Sequence, residues 1–176
     1  MNLILETERI FLKKFTKNDF NLVFELDGNS EVMQYITLGK TKTIEQIRNE
    51  SLPKILKSYS NGKNYGIFAA YLKSNNSFIG WFQFEKDKHI ENAIELGWRL
   101  KKEYWNNGYA TEVGSSLVKK AKNLNKKAVA RAMIENRASI RVMEKIGLKF
   151  VKEFWGDYDP HSGTFEYDFP DVFYES

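Results

Sequence analysis

Ile94-Glu-Leu-Gly-Trp-Arg-Leu100, followed after a short polar loop by Trp105-Asn-Asn-Gly-Tyr-Ala-Thr-Glu-Val-Gly-Ser-Ser-Leu-Val-Lys-Lys120, is the stretch that decides the fold. The first run is extended. In the second, Ala110, Val113, Leu117, Val118 and Ala121 recur near a 3.6-residue period, which predicts an amphipathic helix starting close to Gly108. Its first backbone N–H groups lack internal partners, and with the positive end of the helix dipole they form a cradle for a phosphate. Asn106, Asn107 and Gly108 carry no bulk that blocks close approach to that backbone. An ordinary strand-to-helix turn capped by an Asn accounts for the same residues. No Gly-Lys-Ser/Thr follows, and Gly108 and Gly114 are wrongly spaced for a dinucleotide fingerprint, so neither a nucleoside triphosphate nor NAD is expected.

Working outward, residues 65–72 and 78–86 are alternating apolar segments joined by Lys73-Ser-Asn-Asn-Ser77, which predicts a hairpin, and residues 94–100 complete an antiparallel meander. Upstream, residues 3–15 read as one first strand. Thr16 with Asp19 reads as a helix start, and Thr43 with Gln46 as a capping box opening a helical stretch toward Ser60 that Pro53 must kink or divide. Downstream, strands are expected at 128–133, 148–153 and 164–169, with a helix at 138–146. The order is α+β in one domain spanning 1–176, a length suited to one buried core and short for two.

Composition narrows the chemistry. The chain has no cysteine and two isolated histidines, so disulfides, thiolate nucleophiles and the usual zinc sites are not expected, and no metal is called for. The formal charge of +4 is mild and spread out, which suits an anionic cofactor without demanding nucleic acid. Lys119, Lys120 and Lys122 with Lys126 and Lys127 read as a solvated helix end. No apolar run approaches the roughly 18 residues that cross a bilayer, and the N-terminus lacks a secretory pattern. A cytoplasmic protein without membrane attachment, as monomer or homodimer, is therefore expected.

Three motifs carry a resemblance. Glu95-Leu-Gly-Trp-Arg-Leu100, then Glu103-Tyr-Trp-Asn-Asn-Gly-Tyr-Ala-Thr-Glu112, then Glu135-Asn-Arg-Ala-Ser-Ile-Arg-Val-Met-Glu-Lys-Ile-Gly-Leu-Lys-Phe150 together resemble the GNAT superfamily of acetyl-CoA-dependent N-acetyltransferases, closest to its RimJ/RimL-like branch of ribosomal-protein alanine acetyltransferases. Glu6-Thr-Glu-Arg-Ile is similar to that branch's opening strand. The resemblance implies a GNAT fold: a mixed, mostly antiparallel central sheet flanked by helices and splayed at the acetyl-CoA site. It assigns the edge formed by Trp98, Arg99 and Leu100 to the pantetheine amides, and Trp105, Asn106, Asn107, Gly108, Tyr109, Ala110 and Thr111 to the pyrophosphate. Trp105 replaces the superfamily's usual Gln or Arg, without consequence where the contacts are mainly backbone ones.

Acetyl transfer needs an amine to be deprotonated, an oxyanion stabilised and the departing CoA thiolate protonated. The resemblance implies a backbone N–H near Leu100 for the thioester oxygen, and it places Asn136, of the second motif, among both the catalytic and the cofactor-binding residues. Many relatives carry a protonating Tyr seven residues after that Asn; here the position is Met143. Ser139 is the acid candidate by resemblance, although Asn136 as a helix N-cap and Ser139 as its third residue explain both without chemistry. Glu95 is the base candidate, with Glu85 and His89 behind it, and strand alternation points Glu95 either to the site or to solvent. An α-amine near pKa 8 costs about 1.4 kcal/mol to deprotonate at pH 7, a lysine near 10.4 about 4.6 kcal/mol. The expected acceptor is a primary amine, first a protein N-terminal α-amine, with a polyamine, an amino acid or an antibiotic amine as alternatives. Asp27, Glu31, Glu45 and Glu50 fall on helices whose solvent faces need charge and do not choose among them. A non-catalytic acyl-CoA sensor is the reading from another class, and Met143 permits it.

Overall fold

The computed structural model describes residues 3–154 and 171–176. Its strands are β1 (Leu3–Glu6), β2 (Ile10–Lys14), β3 (Gly66–Leu72), β4 (Phe78–Lys86), β5 (Ala93–Leu100), β6 (Lys127–Met133), β7 (Lys149–Phe154) and β8 (Asp171–Glu175). They form one sheet in the order β1-β2-β3-β4-β5-β6-β8-β7, antiparallel at every junction except β5/β6. The helices are α1 (Phe20–Asp27), α2 (Gln34–Thr37), α3 (Ile44–Gln46), α4 (Leu52–Ser58), α5 (Tyr109–Asn123) and α6 (Arg137–Lys145). The α+β, mixed and mostly antiparallel architecture expected of a GNAT fold is the one observed.

Strand alternation sends side chains to two cores. Phe68, Phe82, Phe84, Ile94 and Leu96 pack on one face against Val113, Leu117 and Ala121 of α5 and Ile140 and Met143 of α6. On the other face Ala69, Tyr71 and Phe78 meet Val23 and Leu26 of α1 and Leu52 and Ile55 of α4. Each fully buried Phe or Leu contributes about 1.5–3 kcal/mol relative to exposure, so these periodicities fix which face each helix covers.

The parallel junction matters most. β5 and β6 pair only at Ala93↔Lys127, Ile94↔Ala128 and Glu95↔Val129. Beyond Glu95 the strands part, while β6 stays paired to β8 as far as Met133↔Asp171. Lys101 donates its N–H to the Ile79 carbonyl at 2.9 Å, toward β4, so by alternation the backbone groups of Leu100 and Trp98 face the opening.

Some expectations are corrected. The first strand is a hairpin, because the chain turns at Thr7–Arg9, where the Thr7 N–H reaches the Ile10 carbonyl at 2.8 Å. Asp19, not Thr16, is the N-cap residue of α1; its carboxylate reaches back to the Thr16 N–H at 2.6 Å and hydroxyl at 2.8 Å. Thr43 and Gln46 do form the capping box, and the helix then widens into a π turn, Ile47–Ser51, just ahead of Pro53. Pro53 sits in the first turn of α4, where a missing N–H costs least. The strand expected at 164–169 lies outside the described residues. No helix among the described residues is long and apolar enough to cross a membrane.

Candidate active site

A cavity of about 670 Å³ opens where β5 and β6 part, between α5 and α6 on one side and the α1–α2 segment on the other. That volume falls in the range of small-molecule and cofactor sites. Trp98, Arg99 and Leu100 line it from β5, and Trp105, Asn106, Gly108, Tyr109, Ala110 and Thr111 from the loop and first turn of α5. Asn136 and Ser139 face it from α6, and Glu95 from the sheet. Asn107 is the one expected cofactor residue that the structure does not bring to the wall; its amide closes the loop on the Trp105 carbonyl at 2.8 Å.

The two helix starts differ. α5 begins at Gly108, φ +77°, with no side-chain cap, so its first N–H groups stay open toward the cavity. At α6 the Asn136 side-chain Oδ1 accepts the Ser139 N–H at 3.1 Å, the ordinary N-cap contact. The loop before α5 is tied down by its own side chain: the Trp105 indole N–H donates to the Leu100 carbonyl at 2.8 Å, a contact that a backbone-only view of Trp105 missed.

A second tie comes from the N-terminus. Glu112, in the first turn of α5, receives the Thr7 hydroxyl at 2.6 Å, the Arg9 N–H at 2.8 Å and the Arg9 guanidinium at 2.6 Å. Arg9 also donates to the Asn107 carbonyl at 3.1 Å and lies 4.6 Å from the centre of the Tyr109 ring. Burial pushes the Glu112 carboxyl up, but these hydrogen bonds and the guanidinium charge outweigh it and hold the group below the ordinary glutamate range. A carboxyl so lowered stabilises the fold above its unfolded-state pKa, and the contribution fades as pH falls through the lower folded value. Glu112→Gln is therefore expected to cost about 1 kcal/mol at neutral pH, with the gap in melting temperature closing in acid. CoA affinity, read by calorimetry, should fall severalfold; an unchanged affinity would show that the clamp does not shape the loop.

The cavity floor is polar and internally neutralised. Glu95 accepts from Gln83 at 3.1 Å and from Arg131 at 3.1 Å, and Arg131 also reaches Asp87 at 2.5 Å. The Asp87 side chain is 1% exposed; burial pushes its carboxyl up, and the bonds from Arg131 and the N–H groups of His89 and Ile90 bring it below the usual range. Arg99 turns to Asp27 in α1, and its Nε is buried without a hydrogen-bond partner among the described residues. Asp27 is not on a solvent face as expected, being 4% exposed beneath the cavity. Glu85 pairs in register with Glu95; burial, and then the Glu95 charge, push its carboxyl up, and it does not line the cavity. His89 is exposed on the β4–β5 turn, and Met143 is 1% exposed in the core, where it offers no proton.

Comparison with known proteins agrees with this geometry. The family described as Acetyltransferase (GNAT) domain matches residues 9–149. A Bacillus subtilis protein named as an uncharacterized N-acetyltransferase, YnaD, is 30% identical over 167 residues, covering 88% of this chain and 93% of its own. A crystal structure of a GNAT-family acetyltransferase from Bacillus anthracis superposes with a TM-score of 0.77 at 29% identity, covering 99% and 97% of the two chains. A Salmonella typhimurium acetyl transferase, which modifies the N-terminal serine of a 50S ribosomal subunit protein, shares the fold with a TM-score of 0.78 at 15% identity, covering 99% and 98%.

Proposed function

The chain belongs to the GNAT family of acetyltransferases, and on that premise we propose that it transfers the acetyl group of acetyl-CoA to a primary amine, a protein N-terminal α-amine first, in the manner of the RimJ/RimL-like branch. The opening between β5 and β6, ending at the uncapped start of α5, carries this reading. A pantetheine arm fits there as an added strand, offered the backbone groups of Trp98 and Leu100, while the open amides of α5 take the pyrophosphate.

The amine nitrogen attacks the thioester carbon, the carbon–sulfur bond breaks, the nitrogen loses a proton and the thiolate gains one. The Leu100 N–H faces the developing oxyanion, and Ser139 supplies the thiolate's proton. Glu95 is committed to Arg131 and Gln83, so the amine's proton leaves through water held at that carboxylate. That route suits an α-amine, which needs only about 1.4 kcal/mol of help at pH 7. The reaction takes place in the cytoplasm.

Acetyl-CoA at a hundredfold excess over its Kd is expected to stabilise the fold by about 2.7 kcal/mol, which raises the melting temperature by about 5–10 °C. No shift at millimolar ligand in a folded sample would sink the cofactor assignment. A panel of peptide N-termini and small amines, assayed for CoA thiol release, tests the transfer itself; binding without release from any amine indicates a sensor.

A further inference from the structure

Resting on the acetyl-transfer reading, we propose that the acceptor carries a single positive charge: its reacting amine sits on an uncharged, apolar or aromatic body, and Arg131 is the residue that turns polyamines away. Among the described residues only two carboxylates line the cavity, Glu31 and Glu95. Both are already paired, Glu31 to Lys102 at 2.5 Å and Glu95 to Arg131 at 3.1 Å. Asp27, beneath the floor, is taken by Arg99 and Asp87 by Arg131. Among the described residues each carboxylate at this space already holds a cation, so a second ammonium entering it must displace the Arg131 or Arg99 guanidinium or the Lys102 ammonium. An ammonium withdrawn from water without a partner is strongly disfavoured, so the floor disfavours polycations because Arg131 occupies the carboxylates that a second ammonium needs.

The wall opposite α6 is of the other character. Val32, Tyr35, Ile36 and Trp81 line it, and Ile36 is 37% exposed at the rim. The chain leaves α2 through Leu38 at φ +53°, an uncommon conformation for leucine. Trp81 is no cation host on its covered face, since the Arg99 guanidinium carbon lies 5.0 Å from its ring centre. What remains is apolar and aromatic surface for an uncharged body.

Calorimetry on CoA-saturated protein compares phenethylamine and an Ala-Phe amide with spermidine at physiological ionic strength. The single-charge amines are expected to bind at least about tenfold tighter. Arg131→Met, which uncovers Glu95 and Asp87, is expected to move that ratio about tenfold toward spermidine. Should Arg131→Met fail to fold, Lys102→Ala, which uncovers Glu31 at the exposed rim, is expected to move it about twofold to threefold the same way. Spermidine binding as tightly as the others to the wild type overturns the proposal, as does an unchanged ratio in whichever variant folds. Thiol release, measured in parallel, reports separately on the transfer reading, because the binding ratio is obtained whether or not any amine is acetylated.

Discussion

Alanine at Ser139 is expected to lower kcat by about 10²-fold or more while leaving KM for acetyl-CoA little altered, the signature of a lost proton donor. Ser139 faces the cavity from the first turn of α6, and its N–H is held by Asn136 at 3.1 Å. The cap fixes the turn that presents the hydroxyl. Asn136→Ala should therefore fail in a different way, losing about 1 kcal/mol of stability with a lower melting temperature. Turnover and unfolding measured on both variants separate the two roles. Full turnover in Ser139→Ala would remove the acid assignment and leave water or another hydroxyl to protonate the thiolate.

Valine at Gly108 is expected to weaken CoA binding at least about tenfold, roughly 1.4 kcal/mol. The reason is conformational. Among the described residues a Cβ at Gly108 would meet only the Arg9 guanidinium, at 3.6 Å, an ordinary contact; but φ is +77°, where a β-branched residue is strained. Valine draws the backbone away from that conformation and misaims the open amides of α5. Asparagine tolerates positive φ, as Asn106 does at φ +60°, so Gly108→Asn should retain most of the affinity. Equal affinity in all three proteins would mean that the turn only reverses the chain.

The meander and both cavity helices were legible from local signals: apolar runs bounded by polar turns in β3 to β5, and a period of 3.6 in α5. The hairpin at Thr7–Arg9 was not, since Thr-Glu-Arg contains none of the glycine, proline or asparagine that punctuate turns. The charge pairs were out of reach for another reason. Arg9 and Glu112 lie 103 residues apart, Arg99 and Asp27 72, and Arg131 and Glu95 36, and no periodicity links such distances. Asp27 did leave a trace: it stands four residues after Val23, on the buried side of α1, where a solvent-facing charge does not belong. Glu112 left an ambiguous one, because an acid in a first turn complements the helix dipole whatever else it touches.

The short β5/β6 junction also divides the sheet into two leaves. β1 to β5 form one leaf and β6, β8 and β7 the other, joined by three backbone residue pairs, by Arg131 reaching from β6 to Glu95 and Asp87, and by α5, which touches both. A seam that thin is where partial opening costs least, so backbone amides along it exchange with solvent earlier than those in the middle of either leaf. A ligand lying along the parted strands acts as a staple across the seam. Hydrogen exchange along the seam is therefore expected to slow when the gap is filled, more than exchange in the middle of either leaf.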